Sequence, residues 1–428
     1  MQVMKWSALA IAVTAGTTQL AFASAQSDSK GFVEDSDLQL FNRALYLNRD
    51  YKHGYKNTAG TGDNGYREEL GLGTRVLFES GFTQGTIGFG VDSHVLSSTK
   101  LDSGRGRYGT GQFDQDSDGR AEDTQTEAGA AVKARLSNTT LKYGSQFVAS
   151  PVFSTDDSRI LPEAATGTYL VSNEIEGLEL SAGRFTALSA QESSDRDTFE
   201  LPSANIFGAA YSFTDNLSAS FHASDVDDYW KKKYVNINYG LPLADDQALS
   251  FDFNYYKSDD QGQALGGELQ NKLWSFAAGY TLGAHTVTVA HQRSSGDTGY
   301  LYGVDGNGTI WVANSVQISD FVGKDERSWQ VRYDLDMASY GIPGLSFMTR
   351  YTSGDNISLY DELGNELEEG KEHEWNIESK YVIQEGAAKD LSFRVRHAVH
   401  RANTVENDAN YTDLNDTRLI IEYPLDII

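Results

Sequence analysis

The sequence predicts an all-β fold, a transmembrane antiparallel barrel of eighteen strands with long extracellular loops. Three observations predict it. Apolar and polar side chains alternate with a period of two from about residue 38 to the end, tight connections take turns with long polar ones, and basic residues recur on the polar face of the strands. Beyond the first 25 positions no apolar run approaches the roughly 18 to 20 residues that a membrane-spanning helix needs, so a helical membrane protein is excluded.

The first element lies outside the fold. Lys5 supplies a positive charge, residues 8–13 a short apolar segment, and Ala21-Phe22-Ala23 and Ala23-Ser24-Ala25 two small-x-small cleavage sites, so residues 1–25 read as a secretory signal peptide. A retained membrane anchor fits less well, because Thr14, Gly16, Thr17 and Thr18 dilute the apolar segment. The barrel then occupies 26–428. An exported chain without cysteine has no disulfides, so its stability must come from a large core or a closed hydrogen-bonded sheet. With 23 Tyr, 20 Phe and 41 Gly against six Pro, the composition favours strands joined by turns. The net charge of −26 argues against a nucleic-acid partner.

The alternating segments are 38–49, 65–79, 83–97, 126–136, 139–148, 166–175, 177–186, 203–213 and 217–228, followed by 231–241, 247–258, 271–282, 284–294, 327–338, 344–354, 372–384, 390–402 and 413–424. Tight turns fall at Ser80-Gly81-Phe82, Ser137-Asn138, Glu176-Gly177, Thr214-Asp215-Asn216, Leu282-Gly283-Ala284 and Tyr340-Gly341-Ile342-Pro343-Gly344. Long polar connections fall at about 98–125, 149–165, 295–326 and 355–371, with one short exception near Tyr229. If the first strand starts on the periplasmic side, the tight turns face the periplasm and the long loops face outward, as in a bacterial outer-membrane barrel. In the second segment Leu70, Leu72, Val76 and Phe78 alternate with Glu69, Gly71, Gly73 and Arg75; in the last, Leu419, Ile421 and Tyr423 alternate with Arg418, Ile420 and Glu422. A soluble sandwich would bury its inner positions, which are too polar here. Tyr46, Tyr143, Trp329 and Trp375 stand at strand ends as candidates for the interfacial aromatic girdles.

Parity also places the basic residues. Leu391, Phe393 and Val395 claim the lipid face of their strand, which sends Arg394 and Arg396 inward; the same argument turns Lys133, Arg135, Arg332, Arg350 and Lys380 toward the lumen. Arg43 shares its face with Phe41 and Leu45 and is assigned less firmly by parity. An arginine facing lipid at the midplane costs about 2–4 kcal/mol, so inward placement is strongly favoured. Guanidinium groups in a narrow passage offer successive two-pronged sites for a carboxylate, whereas the same groups paired with lumen carboxylates such as Glu378 and Glu422 would only brace the wall. Both readings stand at this point. Composition also leaves open whether 149–165 and 295–326 fold inward or stay solvated.

Pro151-Val152-Phe153-Ser154-Thr155-Asp156-Asp157-Ser158-Arg159-Ile160-Leu161-Pro162-Glu163 resembles the constriction-loop motif of the OprD (Occ) family of outer-membrane porins. Matching segments run in order along nearly the whole chain: Phe41-Asn42-Arg43 through Asn48-Arg49-Asp50, Gly88-Phe89-Gly90-Val91-Asp92, Gly296-Asp297-Thr298-Gly299-Tyr300, Asp325-Glu326-Arg327-Ser328-Trp329 and Gly341-Ile342-Pro343-Gly344-Leu345. The resemblance implies an eighteen-stranded barrel whose third and seventh loops fold into the lumen and form an eyelet. It also implies a ladder of basic residues for carboxylate-bearing solutes. Carried over, Arg159 stands at the eyelet, Arg350, Arg394 and Arg396 on the wall, and the segment 297–314, with Asp297 and Asp305, on the acidic or polar side. The chain departs from the barrel pattern by ending Tyr423-Pro424-Leu425-Asp426-Ile427-Ile428 rather than in an aromatic residue, and residues 187–200 map onto no solute contact.

Asp114-Gln115-Asp116-Ser117-Asp118-Gly119 matches the start of a calcium loop, but position 12 is Gln125 and strands flank it, which favours a solvated acidic loop. No hydrolase motif appears; an outer-membrane hydrolase with Ser and His on its wall is the rival class, and a plugged adhesin or structural barrel the third. The expected function is a passive substrate-selective channel without cofactor or metal. Its expected partners are small anionic solutes, amino acids or aromatic and other organic acids among them, and outer-membrane lipid and lipopolysaccharide. Monomer and homotrimer are both left open.

Overall fold

The structure is a computed structural model that describes residues 24–57, 59, 64–410 and 413–428. The signal segment expected over 1–25 therefore lies outside the described residues except for Ser24 and Ala25. Eighteen strands form a single antiparallel sheet: β1 (Asp37–Tyr51), β2 (Tyr66–Glu79), β3 (Ile87–Asp102), β4 (Thr124–Leu136), β5 (Thr139–Gln146), β6 (Ala164–Ile175), β7 (Leu178–Ser189), β8 (Ala204–Thr214), β9 (Leu217–Val226), β10 (Trp230–Ala244), β11 (Gln247–Asp260), β12 (Gln270–Leu282), β13 (His285–Gly296), β14 (Arg327–Asp336), β15 (Leu345–Ile357), β16 (Gly370–Val382), β17 (Ser392–Ala402) and β18 (Leu414–Asp426). Each strand pairs with the next, and β18 returns to β1 with Glu422 opposite Arg43 and Asp416 opposite Arg49. Closure removes the sheet edges and satisfies the strand backbone internally, the condition for crossing lipid with strands. It also rules out the sandwich.

The outer wall is apolar because alternate side chains of every strand have nothing but lipid to meet. Phe89, Val132, Val331 and the girdle candidates Tyr143, Trp329 and Trp375 are all exposed there. Tyr46 is half-buried beside Glu68. Strand limits follow the alternation closely except at β3, which starts at Ile87 rather than 83. The reason lies in the N-terminal segment 24–36: Gln26 Nε2 donates to the carbonyls of Thr83 (2.9 Å) and Gly85 (3.1 Å), which holds these residues in a turn. Gly85 takes φ +121° there, a conformation open to glycine.

Much of the lumen is filled. Phe153 of the third outer loop (147–163) stacks on Phe185 of β7 with centroids 4.5 Å apart, in a cluster with Tyr234, Tyr256 and Leu273 of the wall and Tyr300 and Val312 of the seventh outer loop (297–326). On the other side Ile160 packs with Leu45, Leu47, Leu96 and Phe113. Leu45 and Leu47 thus point inward although they are apolar, because a loop covers them; parity alone assigns such residues to lipid.

Candidate functional site

The constriction is built from the third loop upward. The loop leaves β5, buries Val152 and Phe153 against the β7–β12 wall, crosses the lumen, and reaches β1 and β2 through Asp157 to Ile160. There the Asp157 carboxylate accepts from Arg75 at both oxygens (2.6 and 3.0 Å) and from Arg43 (2.8 Å), while Arg75 also binds the Ile160 carbonyl (3.0 Å). Such two-pronged pairs fix orientation as well as position. Gly73 matters here for space: a Cβ on it would collide with the Ile160 backbone.

The seventh loop locks the third from behind. Ser154 N donates to the Asp305 carbonyl (3.0 Å), and Glu163 accepts from Asn307 N (3.1 Å), Asn307 Nδ2 (2.5 Å) and Asp156 N (2.8 Å). The loop itself is pinned to β10 by a fully buried ion pair, Lys232 Nζ to Asp305 Oδ2 at 2.6 Å, joined by the Trp230 indole at 2.9 Å. Farther on, Gln317, Ile318 and Ser319 donate their backbone N–H groups to Glu374 of β16, and Gln317 also binds Asp416.

Burial pushes the Glu163 carboxyl up to about 7, against the N–H donors that hold it down. A raised carboxyl favours the protonated folded form, so this contribution to the latch is complete below about 4.5 and is lost as pH rises through about 7. Current noise from loop movement is therefore expected to grow between pH 5 and 8. In Glu163→Gln that growth should flatten; a variant with the wild-type pH profile would assign the noise to another group.

Facing the third loop, β14 to β1 carry a basic wall. Arg332 lies opposite Arg350, Arg350 opposite Asn376, Glu378 opposite Arg396, and Arg396 opposite Arg418. One inward step below, Lys380 lies opposite Arg394. Arg332 is paired with Asp334 (2.7 Å) and Arg394 with Glu378 (2.7 Å). Arg350 donates Nε to Asn376 (2.7 Å), and Lys380 makes no ion pair among the described residues. Arg396 Nε stands 3.2 Å from Glu378 without hydrogen-bond geometry, and the Nε–H groups of Arg394 and Arg396 both lack an acceptor among the described protein atoms. Arg159, on the third loop, donates Nε to the Thr110 carbonyl (2.8 Å). Burial, with Arg49 and Arg418 nearby, lowers its guanidinium to about 9, still protonated at neutral pH.

Three further residues belong to this wall without standing among the sequence candidates. Asp416, fully buried, binds Arg49 (3.0 Å) and Arg418 (2.8 Å) together. Parity with Leu419 already turns Arg418 inward, so a signal was present. Other candidates lie elsewhere. Arg43 faces the lumen but is spent on Glu422 and the third loop. Lys133 is a buried partner of Asp92 (2.6 Å), and Arg135 donates to Gln26 Oε1 (3.1 Å) over the Phe82 ring, both beneath the N-terminal segment at the periplasmic end. Asp297 is exposed at the root of the seventh loop, where its N–H binds the Gln270 carbonyl, and Asp305 is sealed in its ion pair. The expectation that 297–314 supplies the acidic or polar side is corrected for its two aspartates: Asp297 stands at the root of the loop, and Asp305 is sealed against Lys232, which offsets the cost of burying its charge. The third loop presents polar groups as well: Asp157 and Ser158 are exposed and Asp156 is half-buried. In the 114–125 loop Asp116 accepts from the N–H groups of Asp118 and Arg120, both at 2.8 Å, capping its own backbone.

Residues 30–427 match the family model of the outer membrane porin, OprD family. Across the full length of both chains the sequence is 46 % identical, over 456 aligned residues, to Porin D of Pseudomonas aeruginosa. The solved structure of Acinetobacter baumannii OccAB1 superposes with a TM-score of 0.88 at 34 % identity, covering 95 % of this chain and 100 % of that one. That of Pseudomonas aeruginosa OpdK with vanillate gives a TM-score of 0.81 at 31 % identity, covering 92 % and 100 %.

Proposed function

The chain belongs to the OprD family of outer membrane porins, and from that membership we propose a passive channel that selects small carboxylate-bearing solutes, amino acids or aromatic and other organic acids, and runs down their gradient. A porin is a channel, so the hydrolase alternative falls. The observation that carries the carboxylate reading is the basic wall opposite the third loop, in which Arg332 lies opposite Arg350 and Arg396 opposite Arg418 while the Arg394 side chain is 33 % exposed. A carboxylate passing them exchanges hydration for charge-assisted hydrogen bonds, moving from one guanidinium to the next. The related OpdK was solved with vanillate, itself an aromatic carboxylate.

The ion pairs within the wall support the same reading. Glu378 and Asp416 hold neighbouring arginines in place and offset part of their mutual repulsion, so binding stays weak enough for release. Replacing Arg159, Arg394 or Arg396 singly with Ala is expected to slow carboxylate uptake into liposomes about tenfold, the worth of one charge-assisted hydrogen bond of about 1.5 kcal/mol. Uptake of a neutral sugar of similar size should change little. Unchanged selectivity in all three variants would count against the wall.

A further inference from the structure

The outer face carries a second basic feature that plays no part in the passage. On five adjacent strands, β10 to β14, Lys231, Lys233, Lys257, Lys272, Arg293 and Arg327 stand at outward positions near the upper ends, with Asp259, Gln270 and Ser295 one outward step above Lys257, Lys272 and Arg293. The register stacks them: Lys233 lies opposite Lys257, Lys257 opposite Lys272, and Arg293 opposite Arg327. Neighbouring strands stand about 4.8 Å apart, so three ammonium groups share about 10 Å of wall. Like charges directly opposite one another destabilise a sheet unless an anion lies between them.

The protein supplies too few anions. Asp225 pairs with Lys231 (3.2 Å), Asp259 with Lys257 (2.9 Å) and Asp355 with Arg327 (3.5 Å). Lys233, Lys272 and Arg293 have no carboxylate within ion-pair distance among the described residues. One outward step below the cations the wall turns apolar and aromatic, with Val235, Tyr255, Trp274 and Trp329. His291 stacks on Trp329 at 4.2 Å between them. This places the cations at the level of the outer-leaflet headgroups, directly above the hydrocarbon. The upper ends of β3 and β4 differ: their outward positions are Thr99, Leu101, Thr124 and Thr126.

We propose that this face, centred on Lys233, Lys257, Lys272 and Arg293, is a binding site for the phosphorylated headgroup of an outer-leaflet lipid. Phosphate monoesters carry the charge that the stacked lysines lack, Arg293 offers a forked donor, and the aromatic row beneath takes the acyl chains. The site faces away from the lumen and does not rest on carboxylate selectivity.

The test uses the folded full-length protein in phosphatidylcholine nanodiscs containing a small fraction of bisphosphorylated lipid A. Lipid A retained per barrel after detergent extraction is counted by native mass spectrometry. Wild type is expected to retain the bisphosphorylated lipid and several-fold less of the dephosphorylated form, and K233Q/K257Q/K272Q is expected to lose the difference while keeping wild-type conductance. Equal retention of the two lipids by wild type, or undiminished retention by the triple variant, overturns the site. Should the triple variant fail to fold, K272Q and R293Q singly carry the same comparison.

Discussion

Replacing Asp305 with Ala is expected to destabilise the barrel by about 3–5 kcal/mol, the cost of leaving a buried charge without its partner, and to raise the single-channel conductance. Lys232 and Asp305 are both wholly buried, and their 2.6 Å contact sits between the rings of Trp230 and Tyr300, which lie 4.8 and 4.6 Å from the ammonium. The ring faces attract the cation but do not discharge it. Without the carboxylate, the ammonium would draw in water and prise the seventh loop from β10. The third loop would follow, since the Asp305 carbonyl holds Ser154 N and Gly306 lies so close to Ser154 that a Cβ there would collide with it. In Lys232→Met with Asp305→Leu, a packed apolar pair should recover most of the stability. Urea unfolding in lipid vesicles measures the first effect and bilayer recording the second. An Asp305→Ala barrel as stable as wild type would mean that the pair does not pin the loop.

The second large effect is expected from replacing Arg394 and Arg396 together with Gln. Glu378 is held by both guanidinium groups, at 2.7 and 3.2 Å. Removing one leaves it neutralised; removing both leaves a lone carboxylate on the wall opposite the eyelet loop. The loss should therefore exceed the product of the single changes, because a repulsive charge appears as two attractive ones vanish. Carboxylate permeability is expected to fall well beyond the about 100-fold product of the two single changes, and cation permeability to rise, on the basis of about 1.4 kcal/mol per tenfold change. Adding Glu378→Gln to the pair should return part of the loss. If the double change equals the product of the singles, Glu378 does not reach the permeating ion.

Strand number, order and facing were legible in the sequence because a barrel wall obeys one rule at every position: lipid on one side, polar lumen on the other. That rule turns Arg332, Arg350, Lys380, Arg394 and Arg396 inward, and the structure sets them on adjacent strands. The rule fails where loops re-enter. Leu45 and Leu47 face inward because Ile160 and Phe113 cover them, and Lys232 sits inward within the run Lys231-Lys232-Lys233, where local charge gives no facing. Asp305 looks like a free loop carboxylate until its partner 73 positions away is known. Lys133 and Arg135 obey parity and still stand apart from the passage, since parity reports facing and not height or company. Parity with Leu419 turns Arg418 inward, but only the shared Asp416 makes Arg49 and Arg418 members of one group.

The central claim is that the basic wall selects carboxylates. Its most direct test is single-channel current through the full-length protein in a planar bilayer under a salt gradient, with and without a panel of small carboxylates. The account predicts an open channel whose reversal potential favours anions and whose current is blocked in a carboxylate-dependent manner, with the block lost in the Arg394 and Arg396 double variant. An open channel that prefers cations, or that passes carboxylates and neutral solutes of equal size without distinction, would contradict it.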